Sequence, residues 1–252
     1  MTTAEHYTDP YIAAYRRVPP AGDGICSLCH RGVPPGTDLC YSCKVTTRQV
    51  TMPATEILPI SLYEVPDQLW NVLRNYKDSP VPQVREQLGT VVAATIARFV
   101  GRHWNCIAQL VGGEPSLATT VPSTGGRIPP HPLVRAVNRS ALLKPLYREL
   151  LDLGDVQLRR LRASDRGFVS KYALHGHRVL LIEDTFTSGT RTQSAASALR
   201  LAGATSVGVL VVGRVIEPGY SPDDLRGWNY GKAAQFSYDV CCRCTAEPCR
   251  PT

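Results

Sequence analysis

The chain has 252 residues, of which 43% are hydrophobic and 19% are charged, and this suits one substantial α/β domain with a small appendage. No apolar run reaches the roughly 18 residues of a membrane-spanning helix, and residues 1–10 lack the apolar segment of a secretory signal. We therefore predict a cytoplasmic protein with no membrane partner. The net charge of +7 favours anionic partners, either nucleic acid or a small polyanionic substrate.

The sequence divides into five segments of different composition. In chain order we expect a polar arm, a cysteine module, a connector with helices that pack on the core, the core itself and a cysteine-rich tail: residues 1–24, 25–48, 49–115, 116–240 and 241–252. In the connector, three prolines between residues 51 and 66 indicate extended backbone, with a strand near residues 56–62.

Helices and strands are predicted from the spacing of the apolar residues. Asp67 can cap a first helix, and Pro82 fits the first turn of a second helix that ends at Gly101. Beyond residue 116, β-branched apolar runs alternate with helical segments. The strands are expected at 116–121, 156–161, 178–183 and 206–216, and the helices at 133–152 and 191–202. Such alternation predicts a mostly parallel sheet flanked by helices.

Two adjacent acids, Glu183 and Asp184, end the apolar strand at 178–183. Open α/β sheets bind ligands at this carboxyl edge. A short turn and the start of an alanine-rich helix follow, with hydroxyl, glycine and basic residues: Thr187, Ser188, Gly189, Thr190 and Arg191. Backbone amides and the dipole of a helix start attract phosphate, and acids beside a phosphate indicate a ribose or a metal ion between them. The alternative is an ordinary strand-to-helix turn.

The segment from Leu180 to Thr190 resembles the phosphoribosyl pyrophosphate motif of the type I phosphoribosyltransferases. The resemblance implies that Glu183 and Asp184 hold the ribose hydroxyls, while residues 187–191 surround the 5′-phosphate. It also implies a Mg²⁺-dependent transfer of the phosphoribosyl group to an unidentified nitrogen acceptor, with release of pyrophosphate. Arg191 departs from the family, which often has threonine at that position.

The resemblance also implies companion loops around the pyrophosphate. A first loop follows the strand at 116–121 and contains Ser123, Thr124, Gly125 and Gly126, with Arg127 next to them. An arginine-rich stretch at 158–167 corresponds to the family's mobile catalytic loop. In it, Arg162 and Arg166 are the candidates for neutralising the leaving pyrophosphate. The alternatives are a glycine- and proline-rich turn and a solvated basic loop.

Cys26, Cys29, Cys40 and Cys43 follow a Cys-x2-Cys-x10-Cys-x2-Cys pattern. Each pair presents two thiolates on one side of a tight bend, and two such bends form a tetrahedral zinc site. The spacing therefore predicts a structural Zn²⁺ ribbon. A redox-active cysteine pair is the alternative.

The tail offers a second candidate zinc site. Its three candidate ligands, with Cys242 or His30 as a fourth, are Cys241, Cys244 and Cys249. The alternative is a set of ordinary thiols at a frayed chain end. Cys106 lies in an apolar helical setting and is expected to be a core thiol.

A four-cysteine ribbon ahead of a type I core resembles the ComF-type, competence-associated proteins. The likeness covers most of the chain and includes the helix end Asn75-Tyr76-Lys77-Asp78. It implies a type I phosphoribosyltransferase-like parallel sheet flanked by helices, with a small N-terminal zinc ribbon, and a glycosyltransferase of nucleotide metabolism. The alternatives are a non-catalytic regulator that binds phosphoribosyl pyrophosphate and a competence-type protein that handles single-stranded DNA.

Overall fold

A computed structural model of the chain describes residues 4–123 and 130–244. Its helices are α1 Ala4–Thr8, α2 Tyr41–Thr47, α3 Gln68–Asp78, α4 Pro82–Arg102, α5 Trp104–Leu110, α6 Pro132–Val137, α7 Thr190–Leu201 and α8 Pro222–Ala233, and a 3-10 helix spans Asp9–Ala14. Within the described residues, none of these helices combines the length and the apolar character needed to cross a membrane.

A parallel sheet forms the centre of the fold. The strands of this sheet are β1 Ile57–Tyr63, β2 Leu117–Thr120, β5 Arg178–Phe186 and β6 Ser206–Val215. A separate hairpin contains β3 Leu151–Leu153 and β4 Phe168–Ser170. In the described part of the chain the parallel sheet has four strands in the order β1-β6-β5-β2, while β3 and β4 pair antiparallel. Leu181 of β5 lies opposite Thr119 of β2 and Val209 of β6. The predicted parallel sheet flanked by helices is confirmed.

Alternate side chains of β5 enter two different apolar clusters. Leu180 and Ile182 pack with the cluster that contains α3 and α4, whereas Val179 and Leu181 pack with α7 and the cysteine module. Burial of each such aliphatic side chain contributes about 1.5–3 kcal/mol to the free energy of folding. Because both faces of β5 are covered, its carboxyl end is held rigidly in the middle of the sheet.

The two helices predicted ahead of the core are present. Asp67 caps α3, since its side chain accepts a hydrogen bond from the Trp70 amide at 2.7 Å. Pro82 occupies the first turn of α4, where a missing amide hydrogen costs nothing. The apolar faces of α3 and α4 contribute Leu73 and Phe99, among others, to the core below the sheet. Capping and spacing together fix where these helices lie.

Two predicted elements are wrong. Residues 156–161 form no strand, because Arg159 and Arg160 are exposed and the chain reverses at Leu161, whose φ is 60°. Only Pro132–Val137 of the helix expected at 133–152 is helical. Beyond it the chain forms turns around Ser140 and Pro145, and Pro145 has no amide hydrogen with which to continue a helix. The hairpin of β3 and β4 occupies part of this region.

The cysteine module is fixed to α8, a helix that was not anticipated. Arg31 forms an ion pair with the fully buried Asp224 in the first turn of α8. Gly32 is required at this contact, because a Cβ atom there would lie 1.8 Å from the carbonyl oxygen of Asp223. The module also packs on the α7 side of the sheet, so that it lies directly behind the carboxyl end of β5.

Candidate functional site

The adjacent acids Glu183 and Asp184 lie buried in the last part of β5. Oδ2 of Asp184 accepts a hydrogen bond from the Tyr76 hydroxyl and lies 2.9 Å from Nζ of Lys77. Oε2 of Glu183 accepts a hydrogen bond from the Thr192 hydroxyl in the first turn of α7. The two carboxylates are therefore held by different helices, α3 and α7.

The two acids have different electrostatic environments. Burial raises the pKa of Glu183 above its ordinary value, and Arg191 and Thr192 offset this only in part. Burial also acts to raise the pKa of Asp184, but Lys77 and the Tyr76 hydroxyl outweigh it, so that this pKa lies below its ordinary value. Asp184 thus stays ionised easily, whereas Glu183 ionises at a free-energy cost.

The turn after β5 places a helix start beside these acids. Gly189 adopts a left-handed conformation with φ of 81°, and no side chain caps the N-terminus of α7. A Cβ atom on Gly189 would lie 2.6 Å from the Phe186 ring, so both φ and space favour glycine. The hydroxyls of Ser188 and Thr190 lie 3.0 Å apart. Amides at such a helix start attract phosphate.

A cavity of about 450 Å³ joins the acids, the turn and several basic residues. The predicted residues Thr187, Ser188, Gly189, Thr190 and Arg191 all line it, together with Glu183 and Asp184. Lys77 from α3 and Arg159 and Arg160 from the segment after β3 line it as well. Four basic side chains thus face two carboxylates in one cavity. Such a balance suits a ligand with several negative charges and hydroxyl groups.

Arg191 connects this cavity to the loop after β2. Its guanidinium donates a hydrogen bond to the carbonyl oxygen of Pro122. Ser123, the next residue, lines a separate cavity of about 200 Å³ beside His131. The other residues predicted for the pyrophosphate loop, Thr124, Gly125, Gly126 and Arg127, lie outside the described residues.

The structure does not bring Arg162 and Arg166 to the cavity. Arg166 is exposed and forms an ion pair with Asp155, and Arg162 is exposed on the far side of the turn at Leu161. The backbone of Arg162 bonds back to Arg159 at 2.9 Å. The reversal at this turn places the first two arginines of the stretch, and not the later ones, against the cavity.

Tyr76 and Lys77 are site residues that the spacing of polar motifs did not assign. Tyr76 lies on the apolar face of α3 and would ordinarily be counted as core, but its hydroxyl reaches Asp184. Lys77 follows it in the last turn of α3. Tyr76 precedes Asp184 by 108 positions in the chain, and only the packing of α3 beside β5 brings Tyr76 and Lys77 to this carboxylate.

Cys26, Cys29, Cys40 and Cys43 form the predicted four-cysteine group. All four are buried and their sulfur atoms lie within 4.8 Å of one another. The sulfurs of Cys29 and Cys40 are 3.7 Å apart, and the Cys40 amide donates to the sulfur of Cys26 at 3.3 Å. Sulfur atoms in this arrangement can hold a metal ion such as zinc.

Arg214 of β6 connects this group to the turn after β5. The side chain is fully buried, with 1% exposure. Its Nη2 donates to the sulfur of Cys29 at 3.4 Å, and its Nη1 donates to the carbonyl oxygens of Phe186 at 3.2 Å and Thr187 at 3.0 Å. Burial alone lowers the pKa of Arg214, but the negative potential of Cys29 and Cys40 outweighs it and raises this pKa.

A second group of potential metal ligands belongs to the apolar cluster that contains α3 and α4, and not to the cluster of the cysteine module. The side chains of His103, Cys106, Cys241 and Cys244 bring their ligand atoms within 4.8 Å of one another. Neither Cys242 nor His30 belongs to this group. His30 lies in the cysteine module, where its Nδ1 contacts the Pro19 carbonyl at 2.8 Å. Cys106 is thus part of a cluster and not a plain core thiol, and Cys249 lies outside the described residues.

No protein-family model matches the chain, and a search of curated proteins gives no match. Among solved structures, one described as "structure of the allosteric regulatory enzyme of purine biosynthesis" is 19% identical, with a TM-score of 0.33. The similarity covers 55% of this chain and 30% of that one. A similarity of this size assigns no activity, so any function must follow from the geometry of this chain alone.

Proposed function

We propose that the cavity at the end of β5 binds phosphoribosyl pyrophosphate and that the protein is a phosphoribosyltransferase. The observation that carries the proposal is a single juxtaposition. Two buried carboxylates, Glu183 and Asp184, share one cavity with the uncapped N-terminus of α7 and with four basic side chains. A sugar with hydroxyls at its centre and phosphates at both ends complements this order of groups.

Each part of the ligand has a matching part of the cavity. The 5′-phosphate takes the turn at residues 187–191, where backbone amides and hydroxyls supply donors. The ribose hydroxyls lie on Glu183 and Asp184. The pyrophosphate lies towards Arg159 and Arg160, whose guanidinium groups pair well with phosphate oxygens.

The donor set is compatible with Mg²⁺. The hydrogen bonds and the ion pair described above engage only Oε2 of Glu183 and Oδ2 of Asp184. Magnesium sites in such enzymes need one or two carboxylates together with ligand phosphates. Glu183 and Asp184 would hold the ion, and it would supply charge neutralisation at the pyrophosphate.

The residues of this chain then act by orienting the sugar and by electrostatics. Positive charge develops on the ribose as pyrophosphate departs, and the ionised Asp184 stabilises it. Arg159 and Arg160 stabilise the negative charge that grows on the leaving group. The bond from the anomeric carbon to the pyrophosphate oxygen breaks, and its electron pair leaves with the pyrophosphate. A bond to the acceptor nitrogen forms, and this nitrogen releases its proton to solvent.

We infer that the four-cysteine group binds zinc in a structural role. Its sulfur atoms are buried, and a tetrahedral zinc site with four protein ligands leaves no position for substrate. The neighbouring Arg214 compensates the net negative charge of four thiolates and a divalent ion. The ribbon thereby supports the turn that takes the 5′-phosphate.

The test is release of pyrophosphate from phosphoribosyl pyrophosphate and Mg²⁺ in the presence of a panel of nitrogen bases and amines. We expect turnover with at least one acceptor in the wild type and none in Asp184→Asn. Tight binding without turnover for every acceptor would favour the non-catalytic regulator. Absence of both binding and turnover would overturn the proposal.

A further inference from the structure

Four side chains from two distant parts of the chain meet at the junction of α4 and α5. His103 joins the two helices and Cys106 lies in α5, whereas Cys241 and Cys244 belong to the C-terminal segment. Their order is His-x2-Cys followed by Cys-x2-Cys, so each half supplies two ligands from one turn of backbone. The Cys244 amide bonds to the Cys241 carbonyl at 3.2 Å and closes the second turn.

The distances within this group match the edges of a zinc tetrahedron. Ligands at about 2.3 Å for sulfur and about 2.0–2.1 Å for nitrogen place two sulfurs about 3.8 Å apart and a sulfur and a nitrogen about 3.6 Å apart. The sulfur of Cys241 lies 3.7 Å from that of Cys106 and 3.4 Å from that of Cys244. The sulfur of Cys244 lies 3.4 Å from Nδ1 of His103.

A disulfide explains this arrangement less well than a metal ion does. Two bonded sulfurs lie about 2.05 Å apart, well below either of the sulfur separations found here. A bond between any two of the three cysteines would also leave the third thiol and the imidazole gathered without a common function. One ion in the middle engages all four groups at once.

We propose that His103, Cys106, Cys241 and Cys244 form a second, structural zinc site that clasps the C-terminal segment onto the α4–α5 junction. Each thiol releases its proton as it coordinates the ion. The site is closed, with four protein ligands, and therefore stabilises the fold without taking substrate.

The clasp fastens a segment that covers part of the main core. Ahead of Cys241, Phe236 stacks on Tyr15 with ring centroids 5.1 Å apart, and Tyr238 packs against both rings. Just beyond Cys241, Arg243 forms an ion pair with Glu56, which precedes β1. The zinc ion thus closes a loop of more than a hundred residues between His103 and Cys241. Loss of the ion should loosen the stretch from residue 234 to residue 244.

Zinc content per chain tests the proposal directly. The purified protein should contain two zinc ions, one for each group, and the double variant Cys241→Ser, Cys244→Ser should contain one. The control Cys242→Ala changes the buried neighbour outside the group and should keep two ions. His103→Cys should also keep two, since a thiolate replaces the imidazole. A wild type with one ion, or a double variant with two, would overturn the proposal.

Two measurements on the wild type do not depend on how a variant folds. Cobalt-substituted protein should show the absorption of a three-sulfur, one-nitrogen site in addition to that of a four-sulfur site. Mass spectrometry after alkylation under non-reducing conditions should find Cys106, Cys241 and Cys244 modified once the metal is removed. A disulfide among these three cysteines would contradict the proposal.

In the double variant, proteolysis between residues 234 and 244 should become at least tenfold faster.

Discussion

Arg214 donates a hydrogen bond to the sulfur of Cys29 at 3.4 Å, and this contact places a buried cation directly behind the turn that follows β5. On its other side the same guanidinium holds the carbonyl oxygens of Phe186 and Thr187. The four-cysteine group and the proposed ligand cavity therefore share one side chain. The ribbon is thus part of the structure that shapes the site.

The first prediction concerns that side chain. Arg214→Met removes the charge but keeps much of the volume, so the cysteine group loses its buried counter-charge, and the carbonyl oxygens of Phe186 and Thr187 lose the Nη1 donor that they share. We expect the free energy of unfolding to fall by about 3 kcal/mol and phosphoribosyl pyrophosphate to bind at least tenfold more weakly. Urea denaturation and titration calorimetry measure the two effects. The matched control is Arg48→Met, at an exposed position near α2; equal losses in both variants would refute the account.

A second prediction concerns the cost of Glu183. Its pKa is raised in the folded chain by burial, so the folded state resists ionisation of this group. Below the pKa of Glu183 in the unfolded chain, about 4.3, the group is protonated in both states and does not lower the stability. The loss of stability grows as pH rises through the higher pKa of Glu183 in the folded chain. Glu183→Gln should therefore be more stable than the wild type at pH 7, while it loses ligand affinity.

Denaturation of both proteins from pH 4 to pH 8 measures this difference. The glutamine oxygen still accepts the hydrogen bond from Thr192, so the comparison isolates the charge. The stability gain should shrink to nothing towards pH 4. A variant that is less stable than the wild type at pH 7 would show that ionised Glu183 stabilises the folded chain, in contradiction to this prediction.

The third prediction separates the two pairs of arginines. The double variant Arg159→Ala, Arg160→Ala lacks two cations that line the cavity. Its affinity for phosphoribosyl pyrophosphate should be at least tenfold lower than that of the wild type. Ribose 5-phosphate lacks the pyrophosphate and should bind as in the wild type. The control, Arg162→Ala with Arg166→Ala, removes the same charge outside the cavity. Weakening by the control pair alone would restore those residues as the pyrophosphate ligands.

A fourth prediction follows from the low pKa of Asp184. Lys77 opposes the effect of burial and holds this pKa below its ordinary value, so the wild type keeps Asp184 ionised as pH falls to 5. In Lys77→Met the effect of burial is opposed less strongly, because the Tyr76 hydroxyl remains but the ammonium group is lost, and Asp184 takes up its proton at higher pH. Affinity for phosphoribosyl pyrophosphate should then fall between pH 8 and pH 5 in the variant but not in the exposed control Lys144→Met. Parallel pH profiles for all three proteins would contradict this role for Lys77.

The sequence predicted those parts of the molecule that local patterns determine. The capped and apolar-striped α3 and α4, the parallel strands, the four-cysteine group and the acidic end of β5 each have a signature within a few residues. The turn at residues 187–191 belongs with them, because its hydroxyls and glycine follow a buried strand directly.

The remaining features depend on packing between distant segments. Lys77 and Asp184 lie more than a hundred positions apart, and the ion pair exists only because α3 packs beside β5. His103 and Cys106 join Cys241 across a similar separation. Arg159 and Arg160 line the cavity because the chain reverses at Leu161, which has a left-handed backbone conformation. Neither the apolar pattern nor the charges of the sequence reveal this reversal.

The central claim is that Glu183 and Asp184 hold the ribose of phosphoribosyl pyrophosphate while the turn at residues 187–191 holds its 5′-phosphate. Titration calorimetry with phosphoribosyl pyrophosphate and Mg²⁺, on the wild type and on Asp184→Asn, tests it most directly. We expect a dissociation constant between about 1 μM and 1 mM for the wild type and an affinity at least a hundredfold lower for the variant. Equal affinity in the two proteins, or no binding by the wild type, would contradict the account.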